Sequence, residues 1–345
     1  GRWVAEREWK KDNKRRQAFN LERGNTKLYE SLPDFSLVQT IQSPLSVGLF
    51  AGKWCSYAAY TDLPSDQREE DGGALVYDTQ ELEEPIEILG APYVELCLSS
   101  DKPVATVAVR ISDVAPNGRA TRVTYGILNL THRHSDENPE ALEPGKKYKV
   151  KVPMNYIAQH FPKGHQVRLA ISTSYWPLVW PSPEPARLTI HPAESKLFLP
   201  IRQPKQRDET LRDMDKPHLQ EHMKTTLLVP ARREWKVEHN LATNEVALNV
   251  VNNDAKIRLD AINWTIQKNV REKYSYQNNN YDTVRGEVVS ERSFARGSWQ
   301  AHTITRTVLT STKTHFIIRA TLDAYEGDTR IYSQSWDERI ERDLL

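Results

Sequence analysis

Apolar and polar residues alternate along most of this chain with a period of two, the period of a β-strand that buries one face. Ile86 to Leu98 alternates on either side of a Gly90-Ala91-Pro92 break. Val104 to Val114 alternates through Val107, Val109 and Ile111, then meets Pro116-Asn117-Gly118. Asn-Gly supplies the positive φ of a tight turn, so Arg122 to Leu130 is predicted as the returning strand. Lys147 to Pro153 follows Pro144-Gly145 and sets Tyr148, Val150 and Val152 on one face. Gly164 to Ser172 does the same with Val167, Leu169 and Ile171. Many short strands cut by Gly and Pro turns predict an all-β sandwich or jelly roll. Two windows read differently. Glu6 to Glu22 is highly charged and fits strand, loop or helix, and Met154 to His160 is predicted as a short helical turn.

Gln203 to Lys224 is charged, with little apolar periodicity, and reads as the body of a connector. Beyond it the two-residue period returns in longer segments. Glu234 to Leu241 and Glu245 to Val251 are predicted as a hairpin, and Lys256 to Gln267 as one strand. Trp299 to Leu309, Thr314 to Ala324 and Thr329 to Trp336 are separated by short connections, which favours an antiparallel meander. The expected organisation is a β-sandwich over 1–202, a connector over 203–230 and an antiparallel β region over 231–345.

Composition narrows the function classes. With 38% hydrophobic and 27% charged residues the chain is expected to fold as a globular protein. A net charge of +1 gives no bulk attraction for nucleic acid or an anionic membrane, and neither is expected as a partner. No apolar run approaches the ~20 residues of a membrane helix. Two cysteines, Cys55 and Cys97, are too few for a disulfide framework; they fit two thiols, with one bridge left open. A cytoplasmic location is expected, because the first residues carry no apolar signal region. The sequons at Asn129 and Asn263 matter only in a secreted protein.

The search for chemistry returns little. None of the 14 glycines has Ser two residues on, so the G-x-S-x-G nucleophile elbow is absent. No βαβ pattern is present to host that elbow. His218-Leu219-Gln220-Glu221-His222 matches an inverted zinc-protease pattern, but it sits in the charged connector without an evident third ligand. His132-Arg133-His134 ends a strand and reads as surface. No phosphate loop or C-x-x-C pair occurs. No catalytic residue, metal site or cofactor is therefore assigned. Two segments stand out instead. Tyr175-Trp176-Pro177-Leu178-Val179-Trp180-Pro181-Ser182-Pro183 is a stiff aromatic loop, suited to stacking on a ligand, docking a domain or covering its own core. Asp66-Gln67-Arg68-Glu69-Glu70-Asp71 is dense in charge; it reads as a solvated loop, or as one pinned by bidentate bonds of an Arg among carboxylates.

These segments belong to a longer ordered set. It runs from Trp54-Cys55 through Leu63-Pro64-Ser65-Asp66-Gln67-Arg68 and Tyr77-Asp78-Thr79 to Leu89-Gly90. It continues with Val109-Arg110-Ile111-Ser112-Asp113-Val114-Ala115-Pro116-Asn117-Gly118, Gly126-Ile127-Leu128 and Leu142-Glu143-Pro144-Gly145. Gly164-His165-Gln166-Val167-Arg168-Leu169 and Trp176-Pro177 through Pro183 complete it. Over about residues 1 to 200 this resembles the C-terminal region of the X-prolyl dipeptidyl-peptidase and cocaine-esterase-like acyl hydrolases, the S15 peptidase group. Residues 201 to 345 resemble the C-terminal extension of longer members less distinctively. The resemblance implies a galactose-binding-like jelly roll that follows an α/β-hydrolase domain and helps wall its substrate cleft. The family's triad residues precede the segment seen here, so none carries over.

The leading expectation is a non-catalytic accessory region of a serine hydrolase acting on esters or on peptides. Its partner would be the N-terminal catalytic domain, with Trp54, Asp66, Arg68, Trp176 and Trp180 as interface or cleft candidates. Self-association is a second fate for an apolar patch normally buried by that partner. The main alternative is a carbohydrate-binding module that stacks sugars on Trp176 or Trp180. A self-sufficient hydrolase is the third, against which the missing elbow argues.

Overall fold

The computed structural model describes residues 2–6, 16–21, 28–29, 38–53, 63–64, 66–209, 211, 215–216, 218 and 222–345. It divides into two compact units, the first made of 1–58, 62–215 and 344–345, the second of 59–61 and 216–343. Strands dominate both, and every strand pairing among the described residues is antiparallel. No described helix is long and apolar enough to cross a membrane.

The first unit opens with β1 (Arg16–Leu21), β2 (Leu28–Tyr29), β3 (Gln39–Ile41), a short helix α1 (Arg68–Asp71) and β4 (Leu75–Asp78). Then come β5 (Ile86–Gly90), β6 (Tyr93–Ser100), β7 (Thr106–Val114) and β8 (Ala120–Asn129). The last strands are β9 (Tyr148–Pro153), β10 (Ile157–Phe161), β11 (Gln166–Ser172), β12 (Leu188–Ile190) and β13 (Lys196–Arg202), followed by a one-turn helix α2 (Gln206–Glu209). They form two sheets. One runs β10-β5-β13-β6-β12-β3, and off that path β1 pairs with β13, β2 with β1 and β9 with β6; the other is four-stranded, β4-β11-β7-β8.

The core lies between these sheets. Val107, Val109 and Ile111 of β7 and Val167, Leu169 and Ile171 of β11 meet Val94, Leu96 and Leu98 of β6 and Leu197 and Leu199 of β13. Each such side chain contributes ~1.5–3 kcal/mol by leaving water, which is why the alternate residues of each strand set its orientation. The Asn117-Gly118 turn joins β7 to β8 as expected, with Gly118 at φ +80° and the Asn117 side chain accepting the Arg119 N–H. One expectation fails. Ile157–Phe161 is strand β10, not part of a helical turn over Met154 to His160, and it pairs along β5 from Gly90 to Ile86. A sheet edge offers a ready ladder, whereas a helix this short must bear the full cost of nucleation.

The second unit holds β14 (Thr225–Val229), β15 (Arg232–Asn240), β16 (Glu245–Asn253), β17 (Lys256–Leu259), β18 (Trp264–Gln277), β19 (Asn280–Arg296), β20 (Trp299–Ser311), β21 (His315–Glu326) and β22 (Thr329–Glu341). All nine belong to one sheet, in which β18 to β22 follow one another as a meander. The expected β15–β16 hairpin is present, in register from Arg232 opposite Asn253 to Asn240 opposite Glu245. Thr225–Val229, inside the stretch read as connector, is a strand that pairs with β17. The single strand expected over Lys256 to Gln267 is broken by a 3-10 turn at Asp260–Ile262, closed by Asn263 in the left-handed region at φ +48°. A further hairpin, β18–β19, turns at 278–279. Its signal was Asn278-Asn279, both at φ +53°, since Asn tolerates the left-handed pair that a two-residue hairpin turn requires.

Candidate functional site

The inward phase of β7 and β11 fills the core, so the other phase of each strand lies on the outer face of the four-stranded sheet. That phase carries Ala108 and Arg110 on β7, Arg168 and Ala170 on β11, and Asp78 on β4. On an open sheet these charges would meet water. Here two loops cover part of the face. Val47, Ala51, Ala108, Tyr125 and Tyr175 form a second apolar cluster, with Ile127, Leu178 and Val179 packed on it. Arg110 is thereby buried, Arg168 and Asp78 are partly buried, and all three must be paired.

Their pairing is continuous. Arg110, 1% exposed, donates from Nη1 to Glu70 Oε2 at 2.9 Å and from Nη2 to Asp71 Oδ1 at 2.9 Å. Arg168 Nη1 reaches Asp71 Oδ2 at 2.8 Å, and its Nε and Nη2 hold both Asp78 oxygens at 2.7 Å. Glu70 also accepts two backbone N–H groups, Phe50 at 2.7 Å and Gly48. Burial pushes the Glu70 carboxyl up, against the pull of Arg110 and those two donors. The hydrogen bonds to Asp78 hold the Arg168 guanidinium above its ordinary value. Tyr175 is raised by burial; its hydroxyl accepts from Arg122 Nη1 at 2.7 Å, and its ring tilts against Tyr125 at 5.6 Å.

Helix α1 thus works as a clamp, holding the 44–52 loop by its backbone and the sheet by its carboxylates. Gly48 is required where that loop crosses the aromatic one. It sits at φ +119°, and a Cβ there would lie 2.2 Å from the Trp176 carbonyl oxygen. With both Glu70 oxygens engaged, the cluster is built to position loops rather than to move protons.

The five candidate residues fare differently. Trp54 lies outside the described residues. Asp66 and Arg68 pair with each other, from Arg68 Nη2 at 2.7 Å and Nε at 3.0 Å, and Asp66 Oδ1 also accepts the N–H groups of Arg68 and Ala120. Burial works against the Asp66 charge, but these bonds outweigh it and hold the carboxyl below its usual value. The Arg68 side chain remains 59% exposed. Trp180 is half-buried, and Trp176 is 0% exposed, so its indole braces the loop from inside and cannot stack on a sugar. Glu70 lies inside the charge-dense 66–71 segment, but its partner Arg110 and the neighbouring Arg168 were not among the site candidates, because outward-phase charges on a strand usually face solvent. The His218 to His222 motif includes Leu219, Gln220 and Glu221, which lie outside the described residues. Among the described residues no group of three or more His, Cys, Asp or Glu is placed to hold a metal ion.

Known proteins match this chain at the level of family, curated relatives and solved structures. A family model described as the X-Pro dipeptidyl-peptidase C-terminal non-catalytic domain matches residues 1–234. Cocaine esterase from a Rhodococcus species is 31% identical over 116 residues, which are 33% of this chain and 20% of that protein. A putative Xaa-Pro dipeptidyl-peptidase from Rhodopirellula baltica is 25% identical over 158 residues, 44% of this chain and 24% of that protein. The matched stretches thus span a quarter or less of these curated relatives. Among solved structures, an α-amino acid ester hydrolase overlaps at TM-score 0.48 and 23% identity, over 54% of this chain and 36% of that one. A CocE/NonD family hydrolase from Staphylococcus aureus overlaps at TM-score 0.41 and 12% identity, over 55% and 36%. At those TM-scores the overlaps add nothing to the family match.

Proposed function

Since the chain belongs to the X-Pro dipeptidyl-peptidase C-terminal non-catalytic domain family, matched over residues 1–234, we propose that it serves a serine hydrolase as its accessory region. The catalytic partner in this reading is an N-terminal α/β-hydrolase domain. The family match carries the reading. The clamp on the outer face of the four-stranded sheet supports it, because it spends a buried ion-pair network on fixing the 44–52 loop to that sheet. Rigid loops are what a wall of a substrate cleft needs, since closure excludes water and strengthens the electrostatics inside.

In this proposal the sandwich over 1–202 docks on the catalytic domain and 231–345 is an extension beyond it. Asp66, Arg68 and Trp180 face the partner, Trp54 joins them, and Trp176 acts from behind as a strut. The bond cleaved by the whole protein is an acyl bond, of an ester or of a peptide, as the names of the two curated relatives suggest. The chain by itself turns over nothing and needs no cofactor.

A fluorophosphonate probe, which labels activated serines, tests this directly. The isolated chain is expected to stay unlabelled and to leave a simple ester intact, while the protein with its catalytic domain is labelled once. Stoichiometric labelling of a serine within these 345 residues would overturn the proposal.

A further inference from the structure

In the second unit, β22 ends the meander and, among the described residues, pairs on one side only, with β21. All 13 of its residues are exposed. A free row of backbone N–H and C=O groups is a template for another strand. Tyr332, Trp336 and Ile340 stand opposite Ala324, Ala320 and Phe316 of β21, so they share one face of the sheet. They are 49%, 38% and 50% exposed, a high apolar load for an edge in water.

We propose that β22 pairs antiparallel with β22 of a second copy of this chain, about a two-fold axis at Trp336, so that two sheets become one. This goes beyond the accessory role and does not depend on it. A two-fold axis normal to the sheet keeps each face on its own side, so opposed residues must come from the same face. The regular part of the strand starts at Tyr332, because the register shift at Ala324/Tyr325 leaves Ile331 as an extra residue. With the axis at Trp336, Tyr332 opposes Ile340 and Trp336 opposes its own copy. Gln334 opposes Glu338, Ser333 opposes Arg339 and Ser335 opposes Asp337. Every apolar residue of the face meets an apolar one, and no like charges are opposed.

The neighbouring registers are worse. An axis at Asp337 opposes two aspartates, and one at Glu338 opposes two glutamates. An axis at Ser335 sets Tyr332 against Glu338 and Trp336 against Gln334. An axis at Gln334 leaves only Tyr332 to Trp336 in regular overlap. Edge charges normally discourage pairing, but Asp337 is already matched by Arg319 of β21 at 3.3 Å. The overlap from Tyr332 to Ile340 makes a ladder of about 30 Å, a small interface, so the dimer is expected to be weak and reversible.

Sedimentation velocity across a concentration series tests the pairing, together with hydrogen exchange over β22. The chain should pass from monomer to dimer, with amides between Tyr332 and Ile340 gaining protection as concentration rises. Trp336→Glu places two charges on the axis and should leave a monomer. Trp336→Cys should form an intermolecular disulfide under mild oxidation, because residues opposed across an antiparallel pair have Cβ atoms ~4.5–5.5 Å apart. The unsubstituted chain, with Cys55 and Cys97, is the control. If Trp336→Glu disturbs the circular dichroism spectrum, the Trp336→Cys cross-link decides. A chain that stays monomeric to its highest soluble concentration overturns the proposal. So does a dimer that survives Trp336→Glu and fails to cross-link through Trp336→Cys, since the copies would then meet elsewhere.

Discussion

The two units solve one problem in different ways. The first buries alternate residues of two facing sheets, and its core side chains reach 0–2% exposure along β6, β7 and β11. The second places nine strands in one sheet, and most residues of β18 to β21 are half-buried. Its closest packing is local: Leu248, Val250 and Val284 are buried near the β15–β16 and β18–β19 hairpins. Elsewhere it relies on in-plane ladders and on cross-strand pairs such as Trp264 against Phe294 at 6.0 Å and His302 on Tyr325 at 4.5 Å. A sandwich obtains stability from area removed from water, whereas a single sheet depends on its cross-strand neighbours and keeps its faces and last edge available. Charge follows the same division. Buried ion pairs occur in the first unit, where Arg110 and Glu70 are nearly inaccessible, while those of the second, such as Lys273–Glu245, lie at the surface.

The largest test of this contrast is Arg110→Ala. Glu70 would keep its burial and lose its cation, at a cost of ~3–5 kcal/mol. Hydrogen exchange should accelerate across β7 and β11 and stay unchanged across β18 to β21; equal acceleration in both units would break the comparison. Replacing the pair together, as Arg110→Met with Glu70→Leu, should recover much of the loss.

Glycine substitutions sharpen the same point. Gly48→Ala must carry a Cβ into the Trp176 backbone at a φ of +119°, and should cost more than ~2 kcal/mol in a urea titration followed by Trp fluorescence. Gly297→Ala in the second unit also needs a positive φ, +61°, but meets no atom within 4 Å. It should cost only about 1–2 kcal/mol, the ordinary strain of a left-handed residue. Comparable losses at the two sites would mean that crowding is not what distinguishes the units.

Acid should act on the first unit through a second cluster. Arg202 binds Glu6, Glu87 and both oxygens of Asp208. Burial raises Glu6 and Glu87, but the bonds to Lys205, Arg2 and Arg202 prevail and hold both below 4.5, while the Arg202 bonds hold Asp208 below 3.8. Groups lowered on folding stabilise fully above their unfolded values and lose that contribution as pH falls through the folded ones. Glu70 has the opposite sign: its raised value makes the fold less stable as pH climbs from 4.5 toward it. Unfolding midpoints measured below pH 4.5 should therefore fall with pH, and Asp208→Asn should flatten that slope; an unchanged slope would remove the cluster from the account.

The smallest expected effect on the fold is that of Arg68→Ala. The side chain is solvent-exposed and its partner Asp66 keeps two backbone donors, so the unfolding midpoint should not move. Docking on the catalytic domain, measured by pull-down or by activity of the whole protein, should weaken. Unchanged docking would take Arg68 off the proposed interface.

The readable and the unreadable parts of the sequence divide along physical lines. Strands β7, β8, β9 and β11 were legible because their alternation is strict and their turns carry Asn-Gly, Pro-Gly or Gly-His. β10 was missed because Tyr156 to Phe161 mixes polar and apolar residues without a clean period, and only the vacant edge of β5 makes it a strand. β14 was missed for a related reason: Thr225 to Val229 has no alternation, and its partner β17 lies some thirty residues on. The candidate site was legible as two unusual segments and no further. That Glu70 and Asp71, rather than Arg68, would be pinned depended on which arginines the sheet placed beneath them.

The sequence by itself determined the all-β class, the inward phase of each regular strand and the absence of a nucleophile elbow, because those depend on residue type at fixed local spacing. Tertiary structure alone decided that Arg110, on the outward phase of β7, is buried, that Trp176 points inside and that β22, among the described residues, is left with a bare edge. Those outcomes depend on what distant segments cover, and coverage is set by packing between residues far apart in the chain, about which local spacing carries no information.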